Sequence, residues 1–227
     1  MLFRSGLYVL NLRNVAYDRQ NEFWAAFVSF LNLGASSMTL ATLTTRFVFP
    51  QFSLEGKRLW IVGMVPEGFR RVLLEKFWLS STVSIGITLS LTLVSSFMLH
   101  VTAWLTLLFA ATVVLMSFSL CGIAVGIGAL FPNFGKGSTA NRQDDNPAKI
   151  VTGFGGTFCF VLSLFYIILV LGAEALPVFM QMTDGILHRD AQPWTMVAAW
   201  LFVSIISLIA ITAPMQMALR RVELLEL

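Results

Sequence analysis

Gly135-Lys136 invites comparison with a phosphate-cradling loop, and its surroundings do not fit. A P-loop needs Gly, four residues, then Gly-Lys-Ser/Thr, so that successive backbone amides wrap the phosphate oxygens. Here Leu130 stands where the first Gly belongs and Gly137 where the hydroxyl belongs. Hydrolysis of ATP by that route is therefore excluded. The two histidines, His100 and His188, are too few for a zinc-protease helix and fall on expected loops. Asp144 and Asp145 are adjacent carboxylates on a polar stretch. Neighbouring residues on a helix or strand do not face one another, so they suit no acid–base dyad. Asp184-Gly185 lacks the Ala-Arg that would follow in a lipid head-group transferase. Cys121 and Cys159 both sit in apolar runs and read as packing residues, not as a disulfide or metal pair. The expectation is no catalytic residue, no metal site and no cofactor bound by this chain.

The elements around these residues explain why so little reactive chemistry is present. Of 227 residues, 57% are apolar and 12% charged. A soluble domain carries about half and about a quarter. With a mean hydropathy of +0.80, the chain lacks the polar surface to cover a globule of 25.2 kDa in water. Lipid is the solvent that such a surface requires. A soluble enzyme is excluded, and 20 Phe with 6 Trp exclude a disordered chain. The net charge of +3 is no argument for nucleic acid here, and none is expected as a partner. Residues 1–22 carry Arg4, Arg13 and Arg19 without the apolar core of a cleavable signal peptide.

Five charge-free stretches, 23–45, 77–99, 101–131, 150–173 and 191–219, are each long enough to cross about 30 Å of hydrocarbon as a helix. The expected fold class is therefore an all-α integral membrane protein. Spans two and three, separated only by His100 and its neighbours, form a tight hairpin. Span one, with Asn32, Ser36, Ser37, Thr39, Thr42 and Thr44, is the least apolar and is expected inside the bundle. Assigning connections to alternate sides puts eleven Lys and Arg on one face and four on the other. The richer face holds 46–76, 132–149 and the tail 220–227, and the positive-inside bias makes it cytoplasmic. The N-terminus then lies outside, an odd arrangement that predicts a missing preceding helix.

The connection 46–76 is the most informative. Pro50 predicts a break after span one. Ser53 can cap a short helix from Leu54 to about Gly63, with Glu55 in its favourable first turn. Leu54, Trp60, Ile61 and Met64 supply an apolar side, while Lys57 and Arg58 stay wet. Pro66 and Glu67 start a second helix that carries Arg70, Arg71 and Lys76 into span two. Spacing alone leaves two readings open, an interfacial amphipathic helix or a docking element for a cytoplasmic partner.

The run Phe52-Ser-Leu-Glu-Gly-Lys-Arg-Leu-Trp60, then Pro66 and Arg70-Arg71 with Lys76-Phe77, resembles the coupling segment of type-2 ATP-binding-cassette (ABC) exporter permeases. So does Gly128-Ala-Leu-Phe-Pro-Asn-Phe134 followed by Asp145-Asn-Pro-Ala-Lys-Ile-Val151 and Gly153-Phe-Gly-Gly156, in the manner of a bacterial branch of exporter membrane subunits. Gly135 to Gln143 interrupts that pattern. The resemblance covers about residues 45–220. It implies a permease subunit in the bacterial inner membrane, lacking the first of six family spans and paired as a homo- or heterodimer. It also implies ATP held by a separate ABC ATP-binding subunit. Ser53, Glu55, Gly56, Lys57, Arg58 and Trp60 would dock that subunit, and Pro66 and Arg70 would set the following helix. A non-transporting membrane scaffold using the same segment is the alternative.

Gly122, Gly126 and Gly128 near the end of span three, and Gly153, Gly155 and Gly156 opening span four, are expected to allow close helix packing, with a hinge as the other reading. The outer segment 174–193, with Pro177 and Pro193, reads either as an interfacial loop anchored by Trp194 or as a re-entrant element. All five stretches lack Asp, Glu, Lys and Arg, which argues against proton- or sodium-coupled chemistry within the bilayer.

Overall fold

The structure, a computed structural model, describes residues 20–55, 68–99, 101, 103–131, 153–187 and 194–223. In chain order these form α1 (Gln20–Leu43), a π-helical turn (Thr44–Val48), α2 (Gln51–Glu55), α3 (Gly68–Met98), α4 (Ala103–Leu130), α5 (Phe154–Leu187) and α6 (Trp194–Glu223). No strand occurs among the described residues. Five helical runs are long and apolar enough to cross a membrane: Phe27–Leu54, Gly68–Met98, Ala103–Leu130, Phe154–Phe179 and Met196–Arg220. The all-helical expectation holds at that level.

α3 shows why these helices suit lipid. Its buried residues are Leu73, Phe77, Ser80, Ser81, Ser84, Thr88, Thr92 and Ser96, mostly hydroxyl side chains three or four residues apart. Its outward residues include Trp78, Leu79, Val83, Ile87, Leu91, Val94 and Phe97. A helix in water buries the opposite face. Two of the hydroxyls satisfy themselves locally: Thr88 Oγ1 donates to Ser84 O at 2.7 Å and Thr92 Oγ1 to Thr88 O at 2.8 Å. Those two are therefore inside without stranding a polar atom, whereas buried Ser81 Oγ has no hydrogen-bond partner among the described residues.

α4, not span one, is the centre of the bundle. In its spanning window 72% of residues are buried, against 44% for the first span and 11% for α6. Small residues are the reason. A Cβ added to Gly122 would lie 3.0 Å from Ile211 Cα, so the α4 and α6 backbones approach as only glycine permits. Of the first span's hydroxyls, Ser36, Ser37 and Thr44 are buried, and Ser37 Oγ donates to Met116 Sδ of α4 at 3.3 Å. Thr39 is exposed and donates to its own i−4 carbonyl at 3.0 Å, so the first span is partly inside the bundle.

Two boundaries differ from the sequence expectation. The chain does not leave its helical course before Pro50. Instead the turn Thr44–Val48 widens, with Phe49 N–H donating to Thr44 O five residues back at 3.0 Å. Helix resumes directly after Pro50, with Leu54 N–H donating to Pro50 O at 2.9 Å. Proline lacks a donor and crowds the preceding turn, and a π-type turn is one way to absorb both. At the other end, α5 runs through Pro177 to Leu187, over much of the segment read as an outer loop. Glu174 thereby falls inside a helix long and apolar enough to cross a membrane.

Candidate functional site

The first candidate is the junction where α1, the π turn and α2 meet the ends of α3, α4 and α5. Phe49 and Phe52 are each 1% exposed there. A Cβ on Gly128 of α4 would lie 2.5 Å from Phe49 O, and one on Gly155 of α5 3.1 Å from the Phe49 ring. Phe49 is thus wedged between the end of α4 and the start of α5. α2 is tied to α3 by three contacts. The Phe52 and Phe69 rings lie 5.9 Å apart, Lys76 Nζ sits 5.3 Å from the Phe52 centroid, and Gln51 Nε2 donates to Ser80 Oγ at 3.4 Å. Phe49 and the α2 side chains together thus touch α3, α4 and α5.

Ser53 lies within α2 and is buried, so it is an interior residue of that helix and not its N-cap. The helix starts earlier because Pro50, with its fixed φ, already supplies the helical entry. Glu55 is the last residue of α2. Gly56, Lys57, Arg58, Trp60 and Pro66 lie outside the described residues, as do His100, His188, Gly135, Lys136, Asp144 and Asp145. Arg70 is exposed on α3 and lines a shallow groove of about 530 Å³ with Arg71, Leu74, Glu75, Trp78, Leu79 and Thr82. Gly122 and Gly126 meet Ile211 and Pro214 of α6. Gly153 precedes α5, where its carbonyl accepts from Thr157 N–H at 3.1 Å and Thr157 Oγ1 at 3.2 Å. Gly156 is buried in the first turn of α5.

A second group of residues was missed by sequence reasoning. Polar side chains bridge the helices at several depths. Cys121 Sγ donates to Ser84 Oγ at 3.4 Å, Thr88 Oγ1 and Ser117 Oγ share a bond of 3.2 Å, and Tyr166 Oη and Ser207 Oγ one of 2.8 Å. Thr112 Oγ1 and Glu174 Oε1 lie 2.7 Å apart, and Glu174 Oε2 has no partner. The four-residue recurrence Ser80, Ser84, Thr88, Thr92, Ser96 was the available signal for the α3 face. Glu174 was overlooked because the fourth span was ended at Ala173. Its presence in a spanning helix removes the argument that the spans hold no ionisable group.

Residues 1–227, the whole chain, match a family described as "Putative ATP-binding cassette". The chain belongs to this family. Comparisons with curated proteins and with solved structures find no match.

Membership overturns three expectations. The family is described by an ATP-binding cassette, so identification of the chain as a type-2 exporter permease subunit does not stand. The exporter-permease function falls with it, and the scaffold alternative gains no support. The expectation of a non-enzyme, with ATP hydrolysis left to a separate subunit, is likewise corrected. The physical reason lies in how much was drawn from each observation. The failed spacing at Leu130–Gly137 excludes one geometry of phosphate binding and no more. Apolar helices joined by a basic connection establish an architecture, and an architecture does not fix an activity.

Proposed function

We propose that this chain is an integral membrane member of an ATP-binding-cassette system, with a five-helix bundle that changes shape in step with nucleotide. The observation that supports the membrane part is the reversed polarity of α3, hydroxyls inward and Trp78, Leu79, Val83 and Val94 outward. That arrangement favours lipid over water on the outer face. Family membership supports the nucleotide part. In this reading the basic connection lies on the cytoplasmic side, and α2 with the adjoining residues through Arg70 is where nucleotide-driven movement enters the bundle. Phe49, packed between α4 and α5, and Phe52, packed on α3, pass that movement on.

The test is reconstitution of the purified chain in lipid vesicles. The chain is expected to resist alkaline carbonate extraction and to change its protease-cleavage pattern when MgATP is added. Hydrolysis is measured on the same vesicles. Release by carbonate would overturn the membrane reading. An identical cleavage pattern with and without nucleotide would overturn the rest.

A further inference from the structure

Thr112 Oγ1 lies 2.9 Å from Leu108 O and 2.7 Å from Glu174 Oε1. A threonine hydroxyl has one hydrogen, and both neighbours can act as acceptors. If the carboxyl is ionised, the hydroxyl can serve only one of them. If Oε1 carries a proton, it donates to Thr112 Oγ1 and the hydroxyl hydrogen goes to Leu108 O, so every contact has a donor. Glu174 is 3% exposed and its Oε2 has no partner. An ionised carboxylate so placed would have one hydrogen bond and no counter-charge, a costly state.

Among the described residues packed on α5, none supplies a compensating cation. α5 packs against α1, α4, α6 and the π turn. From Phe27 to Leu43, from Ala103 to Leu130 and from Met196 to Leu219, the only ionisable side chain is Cys121. Arg46 of the π turn is exposed, and Tyr166, two turns earlier on α5, is hydrogen-bonded to Ser207. The site is also closed above and below. Phe109 and Val178 belong to one apolar cluster, Met116 and Val170 to another. Thr112 and Glu174 lie between these pairs on their helices, at the seam. On one side Phe30 packs on Phe109 and Phe179, with centroids 5.2 and 5.8 Å apart.

We propose that Glu174 and Thr112 form a proton-binding site in the interior of the bundle, loaded and unloaded when one of the two apolar layers parts. The proton comes from water, adds to Oε1 and returns to water, with Thr112 switching its hydrogen between Leu108 O and the carboxylate. The inference does not depend on nucleotide response and stands or falls separately from it.

Infrared difference spectroscopy on the full chain in lipid vesicles decides it. At neutral pH the wild type is expected to show a protonated-carboxyl C=O band that shifts only slowly in D2O. The band is lost in Glu174→Gln and moved in Thr112→Val. Absence of the band, its exchange within the mixing time, or its persistence in Glu174→Gln overturns the proposal. A band that disappears on adding sodium at constant pH also overturns it, in favour of a metal cation. If Glu174→Gln misfolds, the wild-type spectra in H2O and D2O still decide, because the band and its exchange are read without a variant.

Discussion

Gly126 faces Pro214 across the α4–α6 contact with no room for a side chain. A methyl group there would lie 2.6 Å from Pro214 Cβ and 2.7 Å from its carbonyl carbon. Backbone cannot swing aside as a flexible side chain can, so the two helices would have to separate. Gly126→Ala is expected to destabilise the bundle by about 1–3 kcal/mol. Gly86 and Gly172 have open space at the same position. Gly86→Ala or Gly172→Ala is expected to be neutral or to stabilise by about 0.5–1 kcal/mol through helix propensity. Thermal unfolding of the three variants in one detergent checks this, and equal effects would refute the close approach.

The Lys76–Phe52 pair makes a second prediction. Phe52 is 1% exposed, with Lys76 Nζ 5.3 Å from its centroid. Phe52→Ala is expected to cost about 3–5 kcal/mol as a large core truncation. Lys76→Gln is expected to cost about 0.5–1 kcal/mol from the lost cation–ring contact. In the double variant the Lys76 effect should shrink by the cation–ring share, and additive costs measured by unfolding would show that the pair is not coupled.

Polarity on α3 can be tested with one residue from each face. Val83 is 56% exposed and lies mid-helix. Val83→Lys is expected to raise the apparent insertion cost of this segment by about 3 kcal/mol. Ser84 is buried and accepts from Cys121. Ser84→Ala should leave insertion unchanged and cost about 1 kcal/mol in bundle stability. Glycosylation-mapping of insertion and unfolding in detergent separate the two effects.

Cys121 and Cys159 are both free and 0% exposed. Neither is expected to react with a membrane-permeant maleimide while the bundle is folded, and both should react after denaturation. Rapid labelling of either in vesicles would show that the packing around α4 and α5 is looser than described.

How far these features could be read from residues alone varied with the physics behind them. Five helices of membrane-crossing length were legible because a long run of uncharged residues has few other solutions in a chain this apolar. Their burial order was not. The hydroxyl count suggested that α1 lies inside, yet hydroxyls that bond to their own helix carry no such demand. What centres α4 is the set of partners its glycines admit, and a glycine does not name its partner. Glu174 was hidden by the definition of a span as a charge-free run, which stops at Ala173 while the helix in fact continues. Ser53 was misplaced by one rule outcompeting another: a capping side chain was preferred, while Pro50 had already begun the turn. The step from architecture to a permease failed for a different reason, since short matches at helix ends and a topology do not carry an activity.

The π turn at Thr44–Val48 has one further consequence. A widened turn holds one residue more than an α-helical turn, and each residue advances a helix by about 100°. The helical run that follows, through Glu55, is therefore out of rotational phase with α1. That offset is what points Phe49 and Phe52 at the bundle and Phe47 and Leu54 away from it. Deleting a single residue from the turn would restore the ordinary count and swing the Phe52 ring toward the outside, so the orientation of α2 depends on an irregularity in counting that precedes it.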